Sequence, residues 1–234
     1  MQTPPLFTPP WSPQGTVYGT LLNFRREWDL WAPKMAQEPY KAAPQAPVLY
    51  VKTANTFCPA GKGLLLQDGV TEVEIGATLG LVIGQQGQVA GAVLLNDWAV
   101  PHASYYRPPV KARCRDGYLA LPEKMTAGPW SDWAALKIEV QLNGALVQTV
   151  DLGELKRDIP TLLADVAEFM QLQPGDVLMV GSDCLPDGSR PRARAMGPTH
   201  TEWLIGAQCS SRPASSPSST WTPSPTRRST STAQ

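Results

Sequence analysis

A helical repeat of apolar residues stands out clearly in only one stretch of this sequence, and that constrains the fold more than any other feature. Within residues 160–171, Leu162, Leu163, Val166, Phe169 and Met170 recur at the helical period and share one face. Pro160 suits the first helical turn, where a missing N–H costs nothing, and Asp158 precedes it as a candidate N-cap. The helix must stop before Pro174–Gly175. A second, shorter helical stretch of one or two turns is predicted at 25–31, ending before Pro33. Elsewhere apolar residues come in short runs or alternations, the patterns of strands. These are 17–24, 48–51, 70–75, 77–83, 91–95, 136–142, 145–150 and 177–180. The alternating 70–75 should be half-exposed, and the continuously apolar 77–83 should be buried on both faces. Asn143–Gly144 reads as a type I′ hairpin turn between two of these strands. The 24 prolines favour extended segments and turns over helices. The expected fold class is α+β, built around sheets with few helices.

Lys and Arg together number 20, as do Asp and Glu, so the formal net charge is zero. That leaves no basic excess to grip nucleic acid or an anionic membrane. No apolar run is long enough to span a bilayer, and the first residues lack a secretory pattern. A cytoplasmic location with reduced thiols is expected. Cys58, Cys114, Cys184 and Cys209 are widely spaced, which argues against a zinc ribbon or a disulfide framework. Three regions are expected: a flexible arm over 1–15, one domain over 16–195, and a disordered Ser/Thr/Pro-rich tail over 196–234.

Several segments in a shared order resemble the fumarylacetoacetate hydrolase family. They are the apolar strand ending at Ile83–Gly84, Gly91–Ala92–Val93–Leu94–Leu95–Asn96–Asp97–Trp98, Leu142–Asn143–Gly144, and Leu172–Gln173–Pro174–Gly175–Asp176–Val177–Leu178 with Gly181. Gly15–Thr16–Val17–Tyr18–Gly19, Pro39–Tyr40–Lys41–Ala42–Ala43–Pro44, Tyr105 to Ala112 and Cys114–Arg115–Asp116–Gly117 are similar to one branch, which degrades homoprotocatechuate. The resemblance implies a fumarylacetoacetate-hydrolase-like fold, with mixed sheets rolled into a sandwich or barrel. It implies isomerisation of 5-carboxymethyl-2-hydroxymuconate or decarboxylation of 5-oxopent-3-ene-1,2,5-tricarboxylate, each through an enolate. The implied ligand is a small polycarboxylate. The implied assembly is a homodimer, or a complex with a metal-bearing sister subunit.

The resemblance also implies Mg²⁺ or Mn²⁺, held by an E-x-E pair and a distant Asp and acting as a Lewis acid toward the enolate. Asp97 matches that Asp. Anchored on Ile83–Gly84, the E-x-E positions fall on Gly76 and Thr78, neither of which offers a carboxylate. Glu72 and Glu74 supply an E-x-E only if the strand slips by four residues; otherwise they form the solvated face of an alternating strand. Mg²⁺ or Mn²⁺ is thus what the resemblance implies, while without that slip Asp97 is the one matching ligand this chain keeps. Asp97 also has a simpler reading as a turn residue.

The family's N-Y-x-x-H motif appears as Asn23–Phe24–Arg25–Arg26–Glu27, with glutamate replacing the histidine. Glu27 is a candidate base, or else a surface helix glutamate. His102 is expected in an exposed loop. Arg113 stands where the resemblance places a lysine. A guanidinium grips carboxylates in a fork but cannot deprotonate. Lys111 and Arg113 are the other catalytic candidates, and Arg107, Tyr105 and Tyr106 the candidate substrate contacts. Ordinary ion pairing of the basic cluster with Asp116 or Glu123 is the alternative. After Ala195 the sequence departs from the family, and the family's closing strand is expected to be missing.

Overall fold

The computed structural model describes residues 10–102, 110–128 and 132–194, together with the backbone of three further strands at 203–204, 207–212 and 219–221. In chain order the first strands are β1 (Val17–Leu21), β2 (Val48–Lys52), β3 (Phe57–Cys58), β4 (Leu64–Leu65), β5 (Glu72–Glu74), β6 (Ala77–Ile83), β7 (Val89–Asp97) and β8 (Leu119–Ala120). There follow β9 (Thr126–Ala127), β10 (Lys137–Leu142), β11 (Ala145–Asp151), β12 (Val177–Met179), β13 (Arg192–Arg194), β14 (Trp203–Leu204), β15 (Ala207–Arg212) and β16 (Ser219–Trp221). The α-helices are α1 (Arg25–Trp31), α2 (Val110–Arg113) and α3 (Ile159–Ala167).

The main sheet runs β2-β1-β12-β6-β7-β8-β3, with β9 alongside β7. It is mixed: β1 with β12 and β3 with β8 are parallel, and the other pairs are antiparallel. A second sheet, β11-β10-β15-β16, is antiparallel throughout. The α+β expectation, with mixed sheets and few helices, holds. No helix among the described residues is long and apolar enough to cross a membrane.

Two cores explain the patterns in the sequence. All seven residues of β6 are buried. Leu79 and Leu81 face a core shared with Ile138 and Val140 of the second sheet and Leu162 and Val166 of α3. Val82 faces the other way, into a core with Trp11, Val17, Val93 and Leu95. A strand with apolar packing on both faces has no reason to alternate. Each fully buried Leu or Ile contributes roughly 1.5–3 kcal/mol relative to exposure.

α3 begins as expected. The Asp158 carboxylate accepts the Thr161 N–H at 2.9 Å, and Pro160 occupies the first turn. It ends at Ala167, short of 171, and Phe169 is left exposed. The chain must turn back here so that Gly175 N–H can reach the Ile83 carbonyl at 2.8 Å and lead into β12. Replacing Asp158 with alanine is expected to lower stability by about 1 kcal/mol, read as a shift in the urea midpoint. The hairpin turn has Asn143 at φ 52 and Gly144 at φ 80, both positive as type I′ requires.

Three expectations need correction. The arm is docked from residue 10 onward: Trp11 is buried in the second core and its N–H donates to the Glu123 carbonyl at 3.0 Å. Residues 70–75 do not form a half-exposed strand. Only Glu72–Glu74 pairs, with β13, and Val73 and Ile75 are fully buried. The tail contains strands, and β15 pairs with β10 from Lys137↔Arg212 to Leu142↔Ala207. Composition misleads there because backbone pairing uses N–H and C=O groups that every non-proline residue carries. Cys58, Cys114 and Cys184 are free, and burial pushes the thiols of Cys58 and Cys184 up to about 11.

Candidate active site

Strand alternation decides which way Asp97 faces. Val93 and Leu95 belong to the second core, so Asp97, two residues on and last in β7, continues that face. Its carboxylate is buried between groups from two other elements. The Lys52 ammonium on β2 lies 2.9 Å from Oδ1, and the Arg113 guanidinium on α2 lies 2.7 Å from Oδ2. The Tyr50 hydroxyl also donates to Oδ2. Lys52 is itself fully buried and donates to the carbonyls of Arg113 and Tyr118. The guanidinium lies over the Tyr50 ring, 5.5 Å from its centre. Gly19, paired with Tyr50 across β1 and β2, makes that ring position accessible, because a Cβ there would sit 2.1 Å from the ring.

The electrostatics follow from this packing. Burial alone would raise the Asp97 pKa, but Lys52, Arg113 and the hydrogen bonds outweigh it and hold the carboxyl below its usual value. Burial, and then the Asp97 charge, push the Tyr50 phenol well up, so it stays protonated at neutral pH.

A second cluster lies close by. Glu27 is buried in the first turn of α1. Its Oε1 pairs with the Arg190 guanidinium, and its Oε2 accepts the Leu22 N–H at 3.1 Å. Arg190 also donates to the Ser182 and Asp183 carbonyls at 3.2 and 3.3 Å. Arg26 ties Asp183 at 3.0 Å and the Cys184 carbonyl at 2.7 Å. Arg190 bears electrostatically on both Tyr50 and His102, which links the clusters. His102 is half-buried, with Nδ1 3.2 Å from the Val100 carbonyl. Burial and then Arg113 lower its pKa, so the ring is neutral at neutral pH.

The structure thus brings Asp97 and Arg113 together and replaces three simpler readings. Asp97 is a strand residue in an ion cluster, not an Asx turn. Glu27 is not a surface glutamate, and His102 is not an exposed loop residue. Lys111 is exposed and apart from the cluster's ion pairs. Arg113 pairs with Asp97, not with Asp116 or Glu123. Tyr105, Tyr106 and Arg107 lie outside the described residues. Tyr50, Lys52 and Arg190 were not singled out from sequence. A lysine ending the apolar run Val48–Leu49–Tyr50–Val51, with a tyrosine two positions before it on the same strand face, was the available signal.

The register needed for a slipped E-x-E does not occur. Ala77 pairs with Asn96 and Thr78 with Leu95, and Asp97 N–H donates to the Gly76 carbonyl at 2.9 Å. Glu72 is held by Arg192 at 2.7 Å and Arg194 at 3.3 Å, and Glu74 lies 3.7 Å from Arg192. Neither is a solvated-face residue: Glu72 is half-buried and Glu74 buried.

The family model described as fumarylacetoacetate (FAA) hydrolase C-terminal matches residues 16–204. The chain belongs to the fumarylacetoacetate hydrolase family. A bifunctional isomerase/decarboxylase of 4-hydroxyphenylacetate degradation from Salmonella dublin is 34% identical over 198 residues, covering 79% of this chain and 45% of the relative. The chain therefore spans about half the length of that relative. The 5-carboxymethyl-2-hydroxymuconate delta-isomerase of Mycobacterium smegmatis has a similar fold, with a TM-score of 0.60 at 18% identity over 88% of this chain and 76% of that one. The fumarylpyruvate hydrolase of Pseudomonas aeruginosa, solved with Mn²⁺ and pyruvate, has a TM-score of 0.59 at 18% identity over 85% and 84% of the two chains.

The family's divalent metal does not fit the residues present. A hard cation needs several anionic or carbonyl oxygens. Among the described residues no three His, Cys, Asp or Glu side chains gather to hold one. Asp97, the one carboxylate in place, is already bound to two cations. Gly76 faces it without a side chain, and a Cβ there would lie 2.3 Å from the Asp97 carbonyl oxygen. Gly76→Ala is expected to lower stability by about 1–3 kcal/mol, because the strands must separate to admit the methyl group. An unchanged urea midpoint would contradict that packing.

Proposed function

We propose that this chain acts in homoprotocatechuate catabolism on 5-carboxymethyl-2-hydroxymuconate or 5-oxopent-3-ene-1,2,5-tricarboxylate, as an isomerase or decarboxylase working through an enolate. The observation that carries this reading is the Asp97–Arg113 pair, buried against Tyr50 at the positions where the family resemblance puts its site. The similarity to the Salmonella dublin relative supports the substrate class.

In isomerisation a C–H bond breaks, the electron pair delocalises into the carbonyl as an enolate, and a proton returns at a different carbon. In decarboxylation the C–C bond to the departing CO₂ supplies that pair. Both routes need hydrogen-bond donors or positive charge at the developing oxyanion. The Arg113 guanidinium, buried against Asp97, supplies fixed positive charge to the site. Asp97 and Tyr50 hold it in place. A base must be unprotonated before the reaction. His102 meets that need: Nδ1 donates to the Val100 carbonyl, so in the neutral ring Nε2 takes the proton. Glu27 serves less well, because both of its oxygens are already engaged, one by Arg190 and one by the Leu22 N–H. Assembly as a homodimer, or with a metal-bearing sister subunit, belongs to the same proposal.

The test is direct incubation of the protein with each substrate, following the ultraviolet absorbance of the conjugated dienol and the release of CO₂. Consumption of either substrate, reduced about 100-fold or more in Arg113→Met, supports the proposal. A second reading, a small-acid binding module or impaired partner subunit, is favoured by the missing metal ligands. Substrate binding without turnover would establish it in place of the first.

A further inference from the structure

We infer that Lys52 is a positioning residue for the His102 base, a buried ammonium that holds the segment 97–102 against α2 and β8. The inference deepens the reading above and rests on it for the role of His102.

Every donor of Lys52 is committed. Its side chain is 0% exposed, and an ammonium carries three N–H groups and no acceptor. One meets Asp97 Oδ1 on β7 at 2.9 Å, one goes to the Arg113 carbonyl at the end of α2, and one reaches the Tyr118 carbonyl just ahead of β8 at 2.9 Å. Burying such a charge is tolerable only because each donor has an acceptor. With its donors used in this way, the group joins three elements and is not available to a ligand.

Those acceptors lead to the segment that carries His102. The Tyr118 carbonyl also accepts the Trp98 N–H at 3.2 Å, and the Ala112 carbonyl, one residue before Arg113, accepts the Val100 N–H at 2.9 Å. The Val100 carbonyl in turn accepts His102 Nδ1–H at 3.2 Å, which fixes the ring's orientation and its tautomer. Lys52 thus holds Asp97 directly, Trp98 through a shared carbonyl, and Val100 through the last turn of α2. On the other side of the segment Ala99 pairs with Glu74 of β5, a contact independent of Lys52. Loss of Lys52 therefore leaves the strand in place and releases its α2 side, where the backbone group that orients His102 is held.

Nitrogen-15 correlation spectra of the imidazole distinguish the tautomers, and His102→Gln assigns the signals, since the chain holds one other histidine, His200. At a pH where the ring is neutral the unmodified protein should show Nδ1–H. Lys52→Met should shift His102 toward Nε2–H, the form a ring without a fixed partner prefers, and should lower kcat about tenfold or more with KM little changed. A folded Lys52→Met protein that keeps the original tautomer, or an unmodified protein already in the Nε2–H form, would overturn the inference. Native-state hydrogen exchange of the unmodified protein supplies the test if Lys52→Met does not fold. The Val100 amide should be protected to within about tenfold of the β6 amides, and faster exchange would overturn the inference by showing that α2 opens alone.

The two readings separate in the same samples. Loss of the tautomer in Lys52→Met, with no turnover of either pathway substrate by the unmodified protein, would leave Lys52 as the residue that orients His102 and remove the proposed activity. Turnover by the unmodified protein with an unchanged tautomer in Lys52→Met would do the reverse.

Discussion

Asp97→Ala is expected to lower the unfolding free energy by about 3–5 kcal/mol, the cost of leaving buried charges without their partner. Lys52 and Arg113 have side-chain exposures of 0% and 1%, so neither can turn to solvent when the carboxylate is removed. Urea unfolding at neutral pH measures the effect directly. The pH dependence adds a second signature. The folded Asp97 pKa lies below its ordinary value of 3.8. Its contribution is therefore complete above about pH 4–5 and is lost as the pH falls toward the depressed folded value. Asp97→Asn should flatten the acid limb of the stability curve below pH 4 relative to the unmodified protein. Parallel acid limbs would mean that the ion cluster does not stabilise the fold.

The second large effect is expected at Glu27. Removing this carboxylate leaves Arg190 buried without its counter-charge and the Leu22 N–H without its acceptor. Glu27→Ala should cost about 3–5 kcal/mol. Pairing Glu27→Leu with Arg190→Met should recover most of that loss, because a buried ion pair contributes little more than apolar groups of similar volume. A double variant as unstable as the sum of its two single changes would show that each residue acts through other contacts. Because the pair fastens α1 to the loop after β12, the same measurements report whether that loop needs an ionic tie to hold its place.

Much of the fold is legible because its signals are local. The β6 run is apolar throughout because both of its faces are packed, and the β10–β11 hairpin announces itself through Asn143–Gly144. α1 matches residues 25–31, and α3 is recognised by its apolar face and by Asp158. The end of α3 is misjudged because it is set by where β12 must pair with β6, which the helical pattern does not encode. β15 is missed for a similar reason: its partner β10 lies about seventy residues away, and Ser/Thr-rich composition does not register backbone pairing.

The candidate site divides in the same way. Asp97 and Arg113 carry a recognisable family context, so the sequence alone points to them. Tyr50, Lys52 and Arg190 look like ordinary strand and loop residues until the sheet closes.

The sequence by itself determined the fold class, the family and most of the strands, and it placed Gly76 and Thr78 where the family resemblance implies an E-x-E pair. Only the tertiary structure decided what stands in that pair's place. Lys52, Asp97 and Arg113 come from three separate elements, and a buried charge is neutralised by whatever the fold brings within about 3 Å of it, regardless of distance along the chain. Local patterning reports which face a residue turns toward the interior, and the folded sheets determine what it meets there.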